Sequence, residues 1–201
     1  MLHQPPPAVT QWDTAVRACI VFTVLGAVFE GVHETADQWF QASRDAVNKG
    51  RYGDETVLRD GSPASPEDIA DPLVWTMSAT TLGRISAARH VLCYGAVQTV
   101  ATVAVTRALG LRIRPAALAA GAAINLGTHL AIDRRLPLMR LAAVLGKGEY
   151  VKTCTVVRSE GKGADQAGPG TALFALDQAL HRGIGVAAAA VSAVLAARAS
   201  R

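Results

Sequence analysis

The sequence predicts an all-α membrane protein, with four transmembrane helices in an up-down-up-down bundle and a short surface helix after the third span. Three observations carry that expectation. Apolar segments at approximately residues 15–36, 90–111, 116–133 and 172–197 approach the roughly 20 residues that a bilayer-spanning helix needs. Residues 97–105 and 187–197 carry no charge on any face, whereas a helix of a soluble bundle keeps a polar face at helical period. Polar residues are concentrated in two long connections, so the modest mean hydropathy of +0.24 conceals strong segregation. The segments are also rich in Ala and Gly, which lets helices approach closely in a bilayer.

Residues 1–13 read as a polar tail with Pro5, Pro6 and Pro7, and residues 14–201 as a single four-span domain. Within residues 15–32 the first span is interrupted only by Arg17 near the start and Glu30 near the end. A signal peptide would use Arg17 as basic flank and residues 18–29 as apolar core. The long polar leader and the lack of a small-x-small site after Phe29 argue instead for a retained span. Residues 41–89 form a mixed-charge connection punctuated by Gly50, Gly53, Gly61, Pro63, Pro66 and Pro72. Within it Ser65-Pro66-Glu67-Asp68 is a helix start, and residues 74–88 suit a short amphipathic helix at the membrane surface.

His90 opens the second span, and Arg112, Arg114 and Pro115 make a basic turn into the third. The polar interior groups of the third span are Asn125, Thr128 and His129, before Asp133-Arg134-Arg135 ends it. Residues 136–145 suit the surface helix. Residues 146–170 form a second polar connection, Gly-rich toward its end. The fourth span carries Asp177, His181 and Arg182 early and no charge from 183 to 197.

The net charge of +4 comes with no aromatic-interleaved basic patch, so it reads as membrane-flanking charge and not as a nucleic-acid surface. The expected partner is the lipid bilayer and the expected location the inner (plasma) membrane as a multi-pass protein; no motif names a protein partner. Cys19, Cys93 and Cys154 form no CxxC, which argues against a thiolate zinc site or a disulfide framework. A nucleophile elbow, a P-loop and HExxH are also absent from the sequence.

The chemistry lies in the histidines. Three of the five pair with an aspartate four residues away: His33/Asp37, His129/Asp133 and Asp177/His181. On a helix each pair shares one face. His90 is a fourth, and in an alternating bundle all four helix ends meet on one side. Ionisable groups at membrane depth are costly and mark function. Histidine and carboxylate ligands suit a divalent metal, zinc first, with iron or manganese as alternatives. The candidate metal set is therefore His33, Asp37, His90, His129, Asp133, Asp177 and His181, holding one ion with Asp–His support or two ions bridged by carboxylate. Glu30, Glu34, Gln41, Asn125 and Gln178 stand close enough in sequence to add hydrogen bonds or ligands. The competing reading is a metal-free polar network or proton relay, with Asp133-Arg134-Arg135 a solvated membrane stop.

The expected activity is metal-dependent hydrolysis of a lipid or membrane-proximal bond, with a water activated by the ion and a non-ligating Asp or Glu34 as base. A scaffold or partner-binding protein would need no open coordination position. An ion or proton carrier would need polarity through both leaflets. The far half offers only Gln98, Thr99, Thr102 and Thr106 in the second span, Thr23 in the first and Ser192 in the fourth.

Taken in order, His33-x3-Asp37-x3-Gln41, His90, His129-x3-Asp133 and Asp177-Gln178-x2-His181 resemble a family of small bacterial integral membrane proteins. That family is known only as a domain of unknown function, number 3307 (DUF3307). The Asp133-Arg134-Arg135 run and the 170–178 stretch are similar to its actinobacterial members, often carried on phage or mobile elements. The resemblance covers nearly the whole chain and implies the four-span fold and the site, but no reaction. The chain departs from the family in its long charged first connection and in Arg182.

Overall fold

A computed structural model describes residues 11–161 and 163–198. The chain runs α1 (Gln11–Thr35), a π-helical turn (Ala36–Phe40), α2 (Ser43–Asn48), β1 (Thr56–Leu58), α3 (Pro66–Ala70), β2 (Thr76–Ser78), α4 (Ala79–Ala108), α5 (Pro115–Asp133), α6 (Leu136–Val144), α7 (Gly148–Thr153) and α8 (Ala172–Arg198). Among the described residues, four helices are long and apolar enough to cross a membrane: α1 with its π turn, α4, α5 and α8. This fits a multi-pass membrane protein. Of the expected polar tail, residues 1–10 lie outside the described residues, and the helix already begins at Gln11.

The second span differs from its expected form. Residues 74–88 are not a separate surface helix, and His90 does not open a helix. Ser78 caps a 30-residue helix by accepting from the Thr81 amide at 3.2 Å, and His90 sits eleven residues inside it. Hydropathy falls before His90, yet Thr80 to Arg89 contains neither proline nor a turn signal, so the backbone ladder continues. Apolar content marks where lipid would begin, whereas capping marks where the helix begins. The first connection is also more ordered than its composition suggests. β1 and β2 pair antiparallel with Val57 opposite Met77, and Ser65 closes a capping box with Asp68 at the start of α3.

α8 packs most extensively, against α1 on one side and α5 on the other. Its inner face is a column of small residues, Ala188, Ala189, Ser192, Ala193, Ala196 and Ala197, facing Val21, Leu25, Val28 and Phe29 of α1. Small side chains let the backbones approach, so dispersion contacts replace the water-driven term that lipid cannot supply. Gly121 of α5 shows how close the approach is. A Cβ there would collide with Ser192 Oγ and lie 2.8 Å from the Ala188 carbonyl. Gly121→Val is therefore expected to cost roughly 1–3 kcal/mol by overpacking. A lower melting temperature in detergent is the check, and an unchanged one would contradict this packing.

Exposed tryptophans bracket the bundle. Trp12 is 78% exposed at one end of α1 and Trp39 is 85% exposed at the other, with Trp75 71% exposed. Twenty-seven residues of helix span roughly 40 Å, about the thickness of a bilayer with its headgroups. Indole rings favour that interface. At the Trp12 end, Arg17 Nη2 donates to the Arg112 carbonyl at 2.6 Å and ties α1 to the turn between α4 and α5.

Candidate metal centre

The site starts from α1. His33 closes its last turn, and the chain then widens into the π turn that carries Asp37. Single π turns recur at functional sites because they re-aim a side chain without ending the helix. Here the i,i+4 partners His33 and Asp37 stand 3.8 Å apart, while Asp37 Oδ1 lies 3.0 Å from His90 Nε2 and 3.5 Å from His129 Nε2. The inter-helix contacts are thus shorter than the pair within the helix.

His90 and His129 form the centre, with their Nε2 atoms 2.9 Å apart. Asp133 Oδ2 lies 3.2 Å from the first and 3.3 Å from the second. Donor atoms around a tetrahedral zinc sit about 3.3 Å from one another when each bond is about 2.0–2.1 Å. The five separations here, from 2.9 to 3.5 Å, bracket that value. Asp37 Oδ1 and Asp133 Oδ2 are buried, close to both rings, and lack the aligned N–H of a hydrogen bond. The two rings share a hydrogen bond through Nε2, and moving that proton to Nδ1 would leave four lone pairs facing one point, the donor arrangement of a cation site. Left unpaired, such groups would cost several kcal/mol.

Two overlapping groups can hold an ion: Asp37, His90 and His129, and then His129, Asp133 and His181. His181 is set up for that task. Its Nδ1 lies 2.9 Å from the Asp177 carbonyl, which can only accept, so Nδ1 carries the proton and Nε2 keeps its lone pair. That Nε2 and His33 Nε2 are both buried without a hydrogen-bond partner. The His181 ring centroid lies 4.2 Å from that of His129 and 5.1 Å from that of His33.

Two members of the expected set stand differently. Asp177 is not among the convergent donors. Its carboxylate is 21% exposed, and Oδ2 lies 3.5 Å from His181 Nδ1. Glu34, the expected base, is turned away from the centre. It is 62% exposed and bonds to Arg182, which also pairs with Glu30 at 3.1 Å. A cation next to two carboxylates on the same α1 face draws them outward, and Arg182 thereby loses its bare charge within α8.

Lys49 and Tyr94 complete the site and were absent from the expected set. Lys49 Nζ lies 2.8 Å from Asp133 Oδ1, leaving Oδ2 for the imidazoles. With its amide turned to satisfy both neighbours, Gln41 donates to the Asp37 carbonyl and accepts from Lys49 Nζ. The buried Tyr94 ring packs 4.2 Å from the His129 ring, and Asn125 Nδ2 donates to its hydroxyl at 3.3 Å. A signal for Tyr94 is present in the sequence. Ser86, His90, Tyr94, Gln98, Thr102 and Thr106 recur every four residues and are all buried on one face of α4. Lys49 has no such signal.

Lys49 is held by Arg134. Its guanidinium is buried, donates to the carbonyls of Lys49 at 2.9 Å and Arg51 at 2.6 Å, and lies 4.0 Å over the Tyr52 ring. Gly83 makes room, since a Cβ there would collide with Arg134 Nη1. Arg135 follows with φ 58° and ψ −46°, and the Leu136 amide reaches back to the Arg134 carbonyl at 2.6 Å. That is a strained γ-turn, and it lies next to the site. The solvated-stop reading of Asp133-Arg134-Arg135 is thereby overturned for its first two residues, which are buried.

The centre has two openings. A cavity of about 390 Å³ reaches Asp37, Asp133 and Asp177 from between the two long connections, with Lys49, Gln178 and Pro169 in its wall. The connection after α7 is pinned by Asp165, which binds the amides of Ala167 and Gly168 and pairs with Arg158 at 2.6 Å. The Ala167 amide, and then Arg158, hold the Asp165 carboxyl below its ordinary range. A second cavity of about 270 Å³ lies between α1 and α8 and reaches His33, His181 and Tyr94. No protein-family model, curated protein or solved structure matches the chain.

Proposed function

We propose that this protein is a divalent-metal-dependent hydrolase working at one face of a membrane, on a lipid or membrane-proximal bond. One observation carries the reading: two imidazole nitrogens and two carboxylate oxygens converge at metal-like separations beside an open cavity whose wall includes Asp37, Asp133 and Asp177. A scaffold would need the convergence but not the opening. Asp37, His90 and His129, with Asp133 or His181, would hold the ion, and zinc, iron or manganese suits them. A bound ion supplies Lewis acidity toward a substrate oxygen and acidifies a water.

With Glu34 engaged by Arg182, Asp177 takes the role of base in this reading. It lines the cavity, is partly exposed and supplies no atom to either donor group. Lys49 neutralises Asp133 and orients the oxygen that faces the imidazoles. Metal analysis of protein purified without chelator is expected to give about one to two divalent ions per chain on the ligand count. Hydrolysis of lipid or peptide probes should stop on full metal removal. Activity that survives it would sink the mechanism.

The reading includes an up-down-up-down bundle in the inner membrane, α6 as the short surface helix, and both long connections on the cluster side. Residues of both connections line the same cavity, which supports that placement. Cysteines at Ser62 and Ser159 should label from one side and a tag at Arg201 from the other; opposite labelling of the two cysteines would refute the arrangement. The ordered motifs also support grouping the chain with DUF3307 as a bacterial membrane protein.

The buried stripe on α4 favours a second reading, an ion or proton carrier. Gln98, Thr102 and Thr106 extend the line of His90 and Tyr94 through the apolar half, and Gln98 Nε2 and Ser192 Oγ are buried without partners. Polarity there is thus collected on one inner face. Gln98→Leu should then abolish proton uptake into vesicles while metal content stays intact; uptake unaffected by that change would exclude this track.

A further inference from the structure

We infer that the cavity between α1 and α8 is a lateral docking slot for a bilayer lipid, seating its polar linkage between His33 and the Arg182 guanidinium. This rests on the hydrolase reading for the chemistry that follows, but not for the binding itself.

The slot is graded in polarity along the helices. Its walls nearest the Trp39 end of the bundle are Glu30, His33, His181 and Arg182. Its walls deeper along the same two helices are Gly26, Phe29, Gly185 and Val186. Polar residues at the interface end and apolar ones toward the bilayer centre match the polarity of an amphiphile lying in its leaflet. A soluble substrate has no use for that gradient, and a polypeptide passing between two spans would leave its backbone groups unsatisfied at the apolar end.

The inner end has ligand-seeking groups. His33 and His181 are each 4% exposed, and the Nε2 atom of each is buried without a hydrogen-bond partner. Both rings belong to the His129 cluster, so a group seated there lies beside the convergent donors. The outer edge is bridged by Arg182 of α8 binding Glu30 and Glu34 of α1. Charges at this depth are costly unless they are paired and used. Here they form a clasp across the mouth, with hydrogen-bonding groups at the level of a lipid's headgroup.

Two glycines give a clean test. A Cβ on Gly26 would meet nothing within 4 Å, and one on Gly185 would meet only Phe29 Cβ at 3.9 Å. The fold thus accepts a Cβ at both positions, and a longer side chain on either wall would take up slot volume. The probe is a phosphatidylglycerol carrying a diazirine early in one acyl chain, placed in nanodiscs with the whole protein and photolysed. Wild type should give adducts on Phe29 and Tyr94, which are 6% and 1% exposed and out of reach of lipid that only surrounds the bundle. In Gly26→Leu and Gly185→Leu those adducts should fall at least about tenfold by steric exclusion. Adducts on the exposed Leu92 and Val100 should stay unchanged and report that both variants are folded. Adducts confined to exposed positions, or unaffected by both leucines, would overturn the slot. Metal analysis of the same samples separates the two ideas. Buried adducts without metal would keep the slot and end the hydrolase, and metal without buried adducts would do the reverse.

Discussion

His129→Ala is expected to strip the protein of its divalent ion and lower its melting temperature together. His129 belongs to both candidate donor groups and is fully buried, so no single substitution removes more of the centre. Two effects add. Truncating a buried ring leaves a cavity and costs about 3–5 kcal/mol. Loss of an ion held at a hundred times its dissociation constant removes about 2.7 kcal/mol of linkage. Wild-type protein treated with chelator should show the second effect alone, and its melting temperature should return when metal is restored. Acidification should also release the ion, because imidazole and carboxylate bind it only when deprotonated. His3→Ala should alter neither property, being remote in sequence from every motif; His3 itself lies outside the described residues. Elemental analysis and thermal melting on the same samples decide the matter. Absence of stoichiometric metal from protein purified without chelator, together with a harmless His129→Ala, would leave only the polar-network reading.

Arg134→Ala should be the most damaging change outside the donor cluster, at about 3 kcal/mol. The buried guanidinium makes two charge-assisted hydrogen bonds to carbonyls and stacks on the exposed Tyr52 ring. Its loss leaves those carbonyls unsatisfied and frees the end of α2, and Lys49 with it. Arg134→Lys should recover under half of the loss, since an ammonium cannot fork between two carbonyls and cover a ring face. Limited proteolysis between α2 and β1 should accelerate in Arg134→Ala and be intermediate in Arg134→Lys. Wild-type resistance in both would mean that the connection is held by other contacts. Lys49→Met tests the next link. It keeps the stem and removes the cation beside Asp133, so metal affinity should change while the connection stays protected.

The four apolar helices and the His/Asp faces are legible in the amino-acid sequence, because both depend on local order. Hydropathy over about 20 residues and side chains four apart on a helix need no knowledge of distant neighbours. The same rule points to Tyr94, through the four-residue series from Ser86 to Thr106. The start of α4 is a local feature too, but its signal is the cap at Ser78 and not the apolar content that begins after His90.

Other features depended on which elements meet. Lys49 is 84 residues from Asp133 in sequence and 2.8 Å from it in space. No composition or period foretells that pairing; it follows from Arg134 gripping the end of α2, where Gly83 leaves room. Glu34 has the sequence position of a base, beside His33, and Arg182, 148 residues on, draws it outward. Asp37 lies one helical turn from His33, yet the π turn aims it more closely at His90 on another helix. By itself, then, the sequence determined that this chain has four membrane-length helices and which of their faces carry imidazole and carboxylate, since each helix satisfies its own backbone and displays its residues at a known period. Only the tertiary structure decided which of those groups converge, which are neutralised by a distant cation, and where the openings to the centre lie. Those outcomes are set by close approaches of a few ångströms between segments whose separation along the chain carries no information about distance.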